Sequence, residues 1–257
     1  MRAFEPFEDG SAAEGSTEIG TELTTLSSVQ HAYNKKREKD KMGVVSAYTR
    51  KGFFAMMYSL VSESVDQKFH TVKEKLFEEV PEACDVLEIG PGVGANFKYY
   101  RNLKSLTAYE PNTHMHQQLR EQAAESGIQH FVLVGEGAED LFESAIGKFD
   151  VVVSTLVLCS VKQPDVVLKN VEMWLKPGGK FLFLEHVAEQ KGTPMRWFQT
   201  FISPFTRFAF DGCHADRCSD CTIAAFPGFK AEVHEHYTPK DLFFWTQRNV
   251  YGVAVKA

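Results

Sequence analysis

The chain has no surplus of positive charge: 28 Lys and Arg stand against 34 Asp and Glu, for a net charge of −6 and a pI near 5.9. A protein that neutralises phosphates needs a basic face, so the balance argues against a dedicated nucleic-acid binder and leaves room for a local basic patch. Cysteine is also sparse, with five among 257 residues. They are scattered and not framed as pairs, which implies a reducing compartment and no disulfide scaffold. Long apolar runs are missing as well. The run from Gly52 to Val61 covers ten residues, whereas crossing a bilayer takes about twenty. Residues 1–28 have neither a basic start nor an apolar core. Neither a secretory signal nor a mitochondrial transit peptide is expected there, and the Glu, Gly, Ser and Thr content predicts a disordered acidic tail. What remains, 44% hydrophobic and 24% charged residues, is the composition of a soluble globular domain with room for a substantial core.

The most informative stretch is Asp85-Val86-Leu87-Glu88-Ile89-Gly90-Pro91-Gly92-Val93-Gly94. A short apolar run ends in a glycine-rich turn, and a helical pattern follows to residue 103. Such a turn lets a ligand lie against bare backbone, with N–H groups aimed at it. A second strand-like run, Leu106 to Tyr109, ends in Glu110. A carboxylate at that point is placed to accept hydrogen bonds from the two hydroxyls of a ribose. Pro111 and Asn112 then turn the chain. The pair reads as a site for an adenosine-containing cofactor. The glycines alone also fit a dinucleotide fingerprint, Gly90-x-Gly92-x-x-Ala95. Glu88 tips the choice, because a carboxylate there suits the ammonium of a methionine moiety and gains nothing beside a pyrophosphate.

Strand patterns at 85–90, 105–110, 131–135, 150–155 and 180–187 alternate with helical ones at 93–103, 112–127, 138–146 and 164–175. That alternation predicts an α/β fold, a parallel sheet with helices on both faces and ligands at the carboxyl ends of its strands. Ala231 to His236 and Asn249 to Val255 have no helical pattern between them, so an antiparallel hairpin is expected to complete seven strands. Three regions follow: the tail 1–28, a helical cap 29–80, and a domain 81–257 carrying an aromatic-rich insert at 193–225. The cap opens on the basic run Lys35, Lys36, Arg37, Lys39 and Lys41, either a solvated helix face or a contact for anionic lipid. Tyr58 or Phe54 in the cap is placed to cover the cofactor. In the insert, Met195, Trp197, Phe198, Phe201, Ile202, Phe205 and Phe208 follow a helical face that Pro204 is expected to break. This face reads either as core or as an apolar cap over the substrate that dips into a membrane surface. Cys213, His214, Cys218 and Cys221 have irregular spacing, and no metal site is read from them.

With Lys176-Pro177-Gly178-Gly179 and the run Asp150 to Leu158 in place, the chain resembles the class I S-adenosylmethionine-dependent methyltransferases. The runs Val151 to Val161, Leu184-Glu185-His186-Val187 and Asp211-Gly212-Cys213 with Arg217 narrow this. They look like the methyltransferase-like thiol S-methyltransferases, over residues 80 to 257 or so. The resemblance implies a seven-stranded Rossmann-like sheet, S-adenosyl-L-methionine as cofactor and a small-molecule methyl acceptor, most simply a thiol. An oxygen or carbon on a lipid-like or quinone-like acceptor is the alternative, and a non-catalytic binding module the third reading. Cofactor contacts are expected from Glu88, Gly90, Gly92, Gly94, Glu110 and Pro111, from Gly137 and Ala138 along the adenine, and from Thr155 and Leu156 beneath the methionine. His186 and Asp211 are the expected catalytic residues, with Glu185 and His214 as rivals for the base. No nucleic acid and no metal are expected as partners. The expected location is cytoplasmic, with peripheral contact to an intracellular membrane left open.

Overall fold

The computed structural model describes residues 44–238 and 243–257; the acidic tail and the basic run that opens the cap lie outside them. Helix α1 (Val44–Phe77) leads into strand β1 (Asp85–Ile89). Then come β2 (Ser105–Tyr109), α2 (His116–Glu125), β3 (Phe131–Val134) and β4 (Phe149–Thr155). Helix α3 (Pro164–Trp174) precedes β5 (Leu175–His186), and α4 (Pro194–Ala209) and α5 (Ser219–Ala225) follow it. Strands β6 (Phe229–Tyr237) and β7 (Arg248–Lys256) finish the chain.

The seven strands lie in the order β3-β2-β1-β4-β5-β7-β6. Neighbours among the first five are parallel, and β7 runs antiparallel to both β5 and β6. The central strands are apolar almost without a break because both faces are covered. Val86, Val151, Val153, Leu182 and Leu184 pack beneath Phe69, Leu76 and Phe77 of α1. Their alternating neighbours Leu87, Ile89, Val152, Phe181 and Phe183 face Leu168, Val171 and Trp174 of α3. This is the two-residue period of a strand expressed as two core layers.

Three expected helical features are not there. In place of a helix over 93–103 there is a short 3₁₀ turn at Phe97–Tyr99. Gly92 and Gly94 hold positive φ, Tyr100 is extended, and Asn102 is left-handed, so no helical run can propagate. The pattern at 138–146 likewise reduces to a 3₁₀ turn at Glu143–Ala145. Pro204 does not break α4, which passes straight through it. Pro204 and Thr200, whose carbonyl loses its partner, are both exposed, so water meets the freed group. The cysteines also depart from expectation. Cys218 and Cys221 form a disulfide, but it closes so few residues that it removes little chain entropy. Cys84, Cys159 and Cys213 are free thiols.

Candidate active site

The carboxyl ends of β1, β2 and β4 lie side by side in the sheet, and the loops that follow them bound one crevice-like region. Gly90 holds φ +58°, and a Cβ on it would sit 2.6 Å from Val157 Cγ2. Gly92 holds φ +60°, and a Cβ there would press on the Tyr58 ring at 3.0 Å. Only glycine permits both the turn and the close approach. With Gly94 they leave a loop of bare backbone, as the sequence predicts. Tyr58 lies across it from α1, with Phe54 stacked on its ring at 5.7 Å. Burial, with the carboxylates of Glu110, Asp66 and Glu88 nearby, pushes the Tyr58 hydroxyl up to about 12. Helix α1 is stapled in place on both sides of this loop. Asn112 Nδ2 donates to Lys51 O (3.1 Å), and Lys51 Nζ to Pro111 O (3.3 Å). Deeper in, Asp66 accepts from Lys73, Lys98 and the Tyr99 hydroxyl.

Glu88 is fully buried, and both its oxygens are used: Asn96 Nδ2 donates to one and the Tyr100 hydroxyl to the other, each at 2.7 Å. Burial raises its pKa, and these two donors oppose the rise. Asn96 Nδ2 also donates to Thr155 Oγ1 (2.8 Å). That leaves Asn96 Oδ1, in the loop after β1, buried and without a hydrogen-bond partner. The sequence pattern places Asn96 inside a helix, which hides it as a site residue.

Glu110 is held by two backbone donors, Gly92 N (2.9 Å) and Asn112 N (2.8 Å), one to each oxygen. Burial pushes its carboxyl up to about 7; those donors lower it and Asp211 raises it further. Asp211, whose charge adds to that rise, lies in the loop after α4 at φ +44°. Beyond β3, Asn170 Nδ2 ties Ala138 O to α3 at 2.9 Å, beside Gly137. Glu139 is spent on Gln163 N at the start of α3 (2.7 Å). After β4, Leu156 sits in the left-handed region at φ +59° while its N–H bonds Leu184 O (2.8 Å). For a non-glycine residue that is stored strain, of a kind found at ligand-binding turns. Leu158 is plain core.

At the end of β5, Glu185 is fully buried and accepts from Ser154 Oγ (2.5 Å) and Leu158 N (3.0 Å). Burial pushes it up to about 8. It braces the loop after β4 from inside and offers nothing to a substrate. His186, next to it, projects to the other face. It is 3% exposed, and neither ring nitrogen has a partner. The loop 211–214 closes over this point, with His214 N donating to Cys159 O (2.9 Å) and Gly212 backed against Ser160 O. His214 itself is half-buried, its pKa lowered by burial and by Arg217 and Arg207.

Residues 87–183 match the family model described as a methyltransferase domain. Thiol S-methyltransferase TMT1A of Homo sapiens is 33% identical over 210 residues, 77% of this chain and 85% of that protein. Human thiol S-methyltransferase TMT1B is 35% identical over 170 residues, 63% of this chain and 70% of that protein. The chain belongs to the thiol S-methyltransferase family. As a member of it, this methyltransferase uses S-adenosylmethionine. Solved structures agree on the fold. The N-methyltransferase NodS from Bradyrhizobium japonicum, in complex with S-adenosyl-L-homocysteine, superposes at a TM-score of 0.56 with 16% identity. That match covers 74% of this chain and 87% of NodS. YcgJ of Bacillus subtilis gives 0.60 with 14% identity, over 73% of this chain and 98% of that one.

The aromatic insert of this methyltransferase does not pack as core, one of the two alternatives its pattern left open. Helix α4 buries Gln199, Ser203 and Thr206, while Trp197 (74%), Phe201 (82%), Phe205 (63%) and Phe208 (67%) stand in solvent. It is therefore neither core nor a roof over the crevice by those side chains. Hydrogen bonds decide the orientation. Gln199 accepts from Glu189 N and donates to Trp245 O, both at 2.8 Å, and Ser203 Oγ donates to Asp216 Oδ1 (2.6 Å). Thr206 Oγ1 donates to Cys213 O (2.8 Å).

Proposed function

We propose that the chain transfers the methyl group of S-adenosylmethionine to the sulfur of a small apolar thiol. Bound, the cofactor supplies an electrophilic methyl on a sulfonium. Asn96 Oδ1, held by Glu88 and Thr155, accepts from the ammonium of its amino-acid end. Glu110 accepts from the ribose hydroxyls with the lone pairs its backbone donors leave over. Gly90, Gly92 and Gly94 give the backbone approach, Pro111 turns the chain past the ribose, Gly137 and Ala138 flank the adenine, and Thr155 and Leu156 lie under the methionine. Asp211 adds negative potential where a cation binds.

The observation that carries the acceptor is His186: a buried imidazole with both nitrogens unmet, at the strand end beside the loop after β4. Glu185, the carboxylate closest along the chain, is consumed internally. A thiol, about 8.5 unperturbed, needs only a modest pull to ionise near neutrality, whereas a phenol at about 10 needs more. The rest of the step is alignment of nucleophile, methyl and sulfur. The human relatives, both thiol S-methyltransferases, support a thiol. The test is transfer of labelled methyl from the cofactor to small alkyl thiols, phenols and quinols. Labelled thioether from the thiols alone is expected, and His186→Ala should slow it by roughly 10²–10⁴ at neutral pH. Labelled quinol or phenol with thiols untouched would overturn the acceptor.

We also infer peripheral contact with an anionic membrane surface from a cytoplasmic position. Phe53, Met56, Met57 and Leu60 of α1 are exposed, like the α4 aromatics, and Arg50 stacks over Phe208 at 5.8 Å to join the two helices. Among the described residues no helix is long and apolar enough to cross a membrane.

A further inference from the structure

Two free thiols at the acceptor end have no task in the reading above. Cys159 lies in the loop after β4, His186 ends β5, and Cys213 follows α4, so three separate elements deliver them. One ligand atom from each, two sulfurs and an imidazole nitrogen, all lie within 4.8 Å of one another. Cys159 and His186 are buried and Cys213 is half-buried. Neither nitrogen of His186 has a partner, a state buried polar atoms in native proteins rarely keep. The loops that carry the thiols are fixed: Arg217 donates to Leu158 O and Val161 O, and Thr206 and His214 bond the backbone at 213 and 159.

Two thiols and an imidazole are the soft donor set that selects zinc, and three protein ligands leave the fourth tetrahedral position open. Among the described residues the other cluster of this kind, Cys218, Asp220 and Cys221, has both its sulfurs tied up in the disulfide. We propose that Cys159, His186 and Cys213 hold one zinc-type ion whose fourth position receives the acceptor sulfur. Only the fourth ligand rests on the thiol reading; the three-residue site does not. On binding, the acceptor's S–H proton passes to solvent and its sulfur stays on the ion as a thiolate. That sulfur's lone pair then forms the new S–CH₃ bond while the methyl–sulfonium bond breaks, its electron pair remaining on the departing sulfur. The neutral thioether is a poorer ligand and leaves. In the loaded chain the ion ionises the acceptor sulfur, and His186 acts as its ligand in place of taking the proton itself.

The experiment is metal analysis of the full chain, purified without chelator and loaded with zinc or cobalt(II). One equivalent of zinc per chain is expected, with cobalt(II) giving a thiolate-to-metal charge-transfer band that small alkyl thiols perturb. Cys159→Ser and His186→Ala should lose the ion. Cys213→Ser should at least weaken it, and S-adenosylhomocysteine binding by each variant reports whether the fold survives. Three results would overturn the site: no zinc above background in the wild type, zinc unchanged by all three substitutions, or a Cys159–Cys213 disulfide found by mass spectrometry. Should a variant fail to fold, the wild-type stoichiometry and cobalt spectrum still decide. Thiol methylation by a metal-free chain would sink the ion and leave the thiol reading standing. A loaded chain that methylates no thiol would do the reverse.

Discussion

Glu110 is nearly sealed from water, and burial pushes its carboxyl up to about 7 from an ordinary 4.5. A raised carboxyl favours the protonated form in the fold. Its contribution to stability is complete below about 4.5 and fades as pH rises through about 7. Cofactor binding has the opposite sign, because ribose hydroxyls donate to the ionised carboxylate. Affinity for S-adenosylhomocysteine, read by calorimetry either side of pH 7, should therefore tighten as pH rises. In Glu110→Gln that dependence should flatten and binding should weaken by roughly 1–3 kcal/mol. Asn96→Ala should weaken binding at every pH, since an amide does not titrate. A pH-independent wild type would remove the ribose assignment. The positions of Glu110 and the glycines were legible because strand, turn and strand place them close along the chain, whereas Glu88, expected to meet the ammonium itself, has both oxygens taken by Asn96 and Tyr100. Asn96 was not legible, since its value comes from a 3₁₀ turn that the pattern disguised as helix.

A helix with four aromatics on one face would ordinarily bury that face, each ring contributing about 1.5–3 kcal/mol. In α4 the hydrogen-bonded positions Gln199, Ser203 and Thr206 face inward instead. The periodicity marks the helix but not its rotation, which depends on partners at Glu189, Asp216, Cys213 and Trp245. Pro204 sits on the wet side for the same reason. Thermal melts separate the two orientations. Gln199→Ala leaves two part-buried backbone groups without their partner and should cost about 1–2 kcal/mol. Phe201→Ser should stay within about 0.5 kcal/mol of wild type. A loss of about 3–5 kcal/mol at Phe201, the cost of truncating a core aromatic, would show that the face is buried.

At the scale of the molecule, the sheet was readable from alternation and from the final unseparated strands, because a parallel sheet and its closing hairpin repeat simple patterns. The charge distribution was not, since a net −6 conceals a local excess of the other sign. Residues 44–62 and 190–210 contain Arg50, Lys51, Lys191, Arg196 and Arg207 and no Asp or Glu. These are the stretches that expose Phe53, Leu60, Trp197, Phe201 and Phe208. Bare aromatics among cations fit the interface of an anionic bilayer, where rings enter the headgroup region and Arg and Lys meet phosphates. The whole-chain charge predicts repulsion from such a surface and the local charge predicts attraction. At physiological salt the local term wins, because charges beyond about 8 Å are screened. Sedimentation with phosphatidylserine-containing vesicles should therefore exceed that with phosphatidylcholine alone and should fall with added salt. A double Trp197→Ser and Phe201→Ser variant should lose it while keeping its affinity for S-adenosylhomocysteine. Equal, weak sedimentation with both vesicles would refute the contact. So would a dimer by light scattering that the same double substitution splits, because the face would then be covered by a second copy.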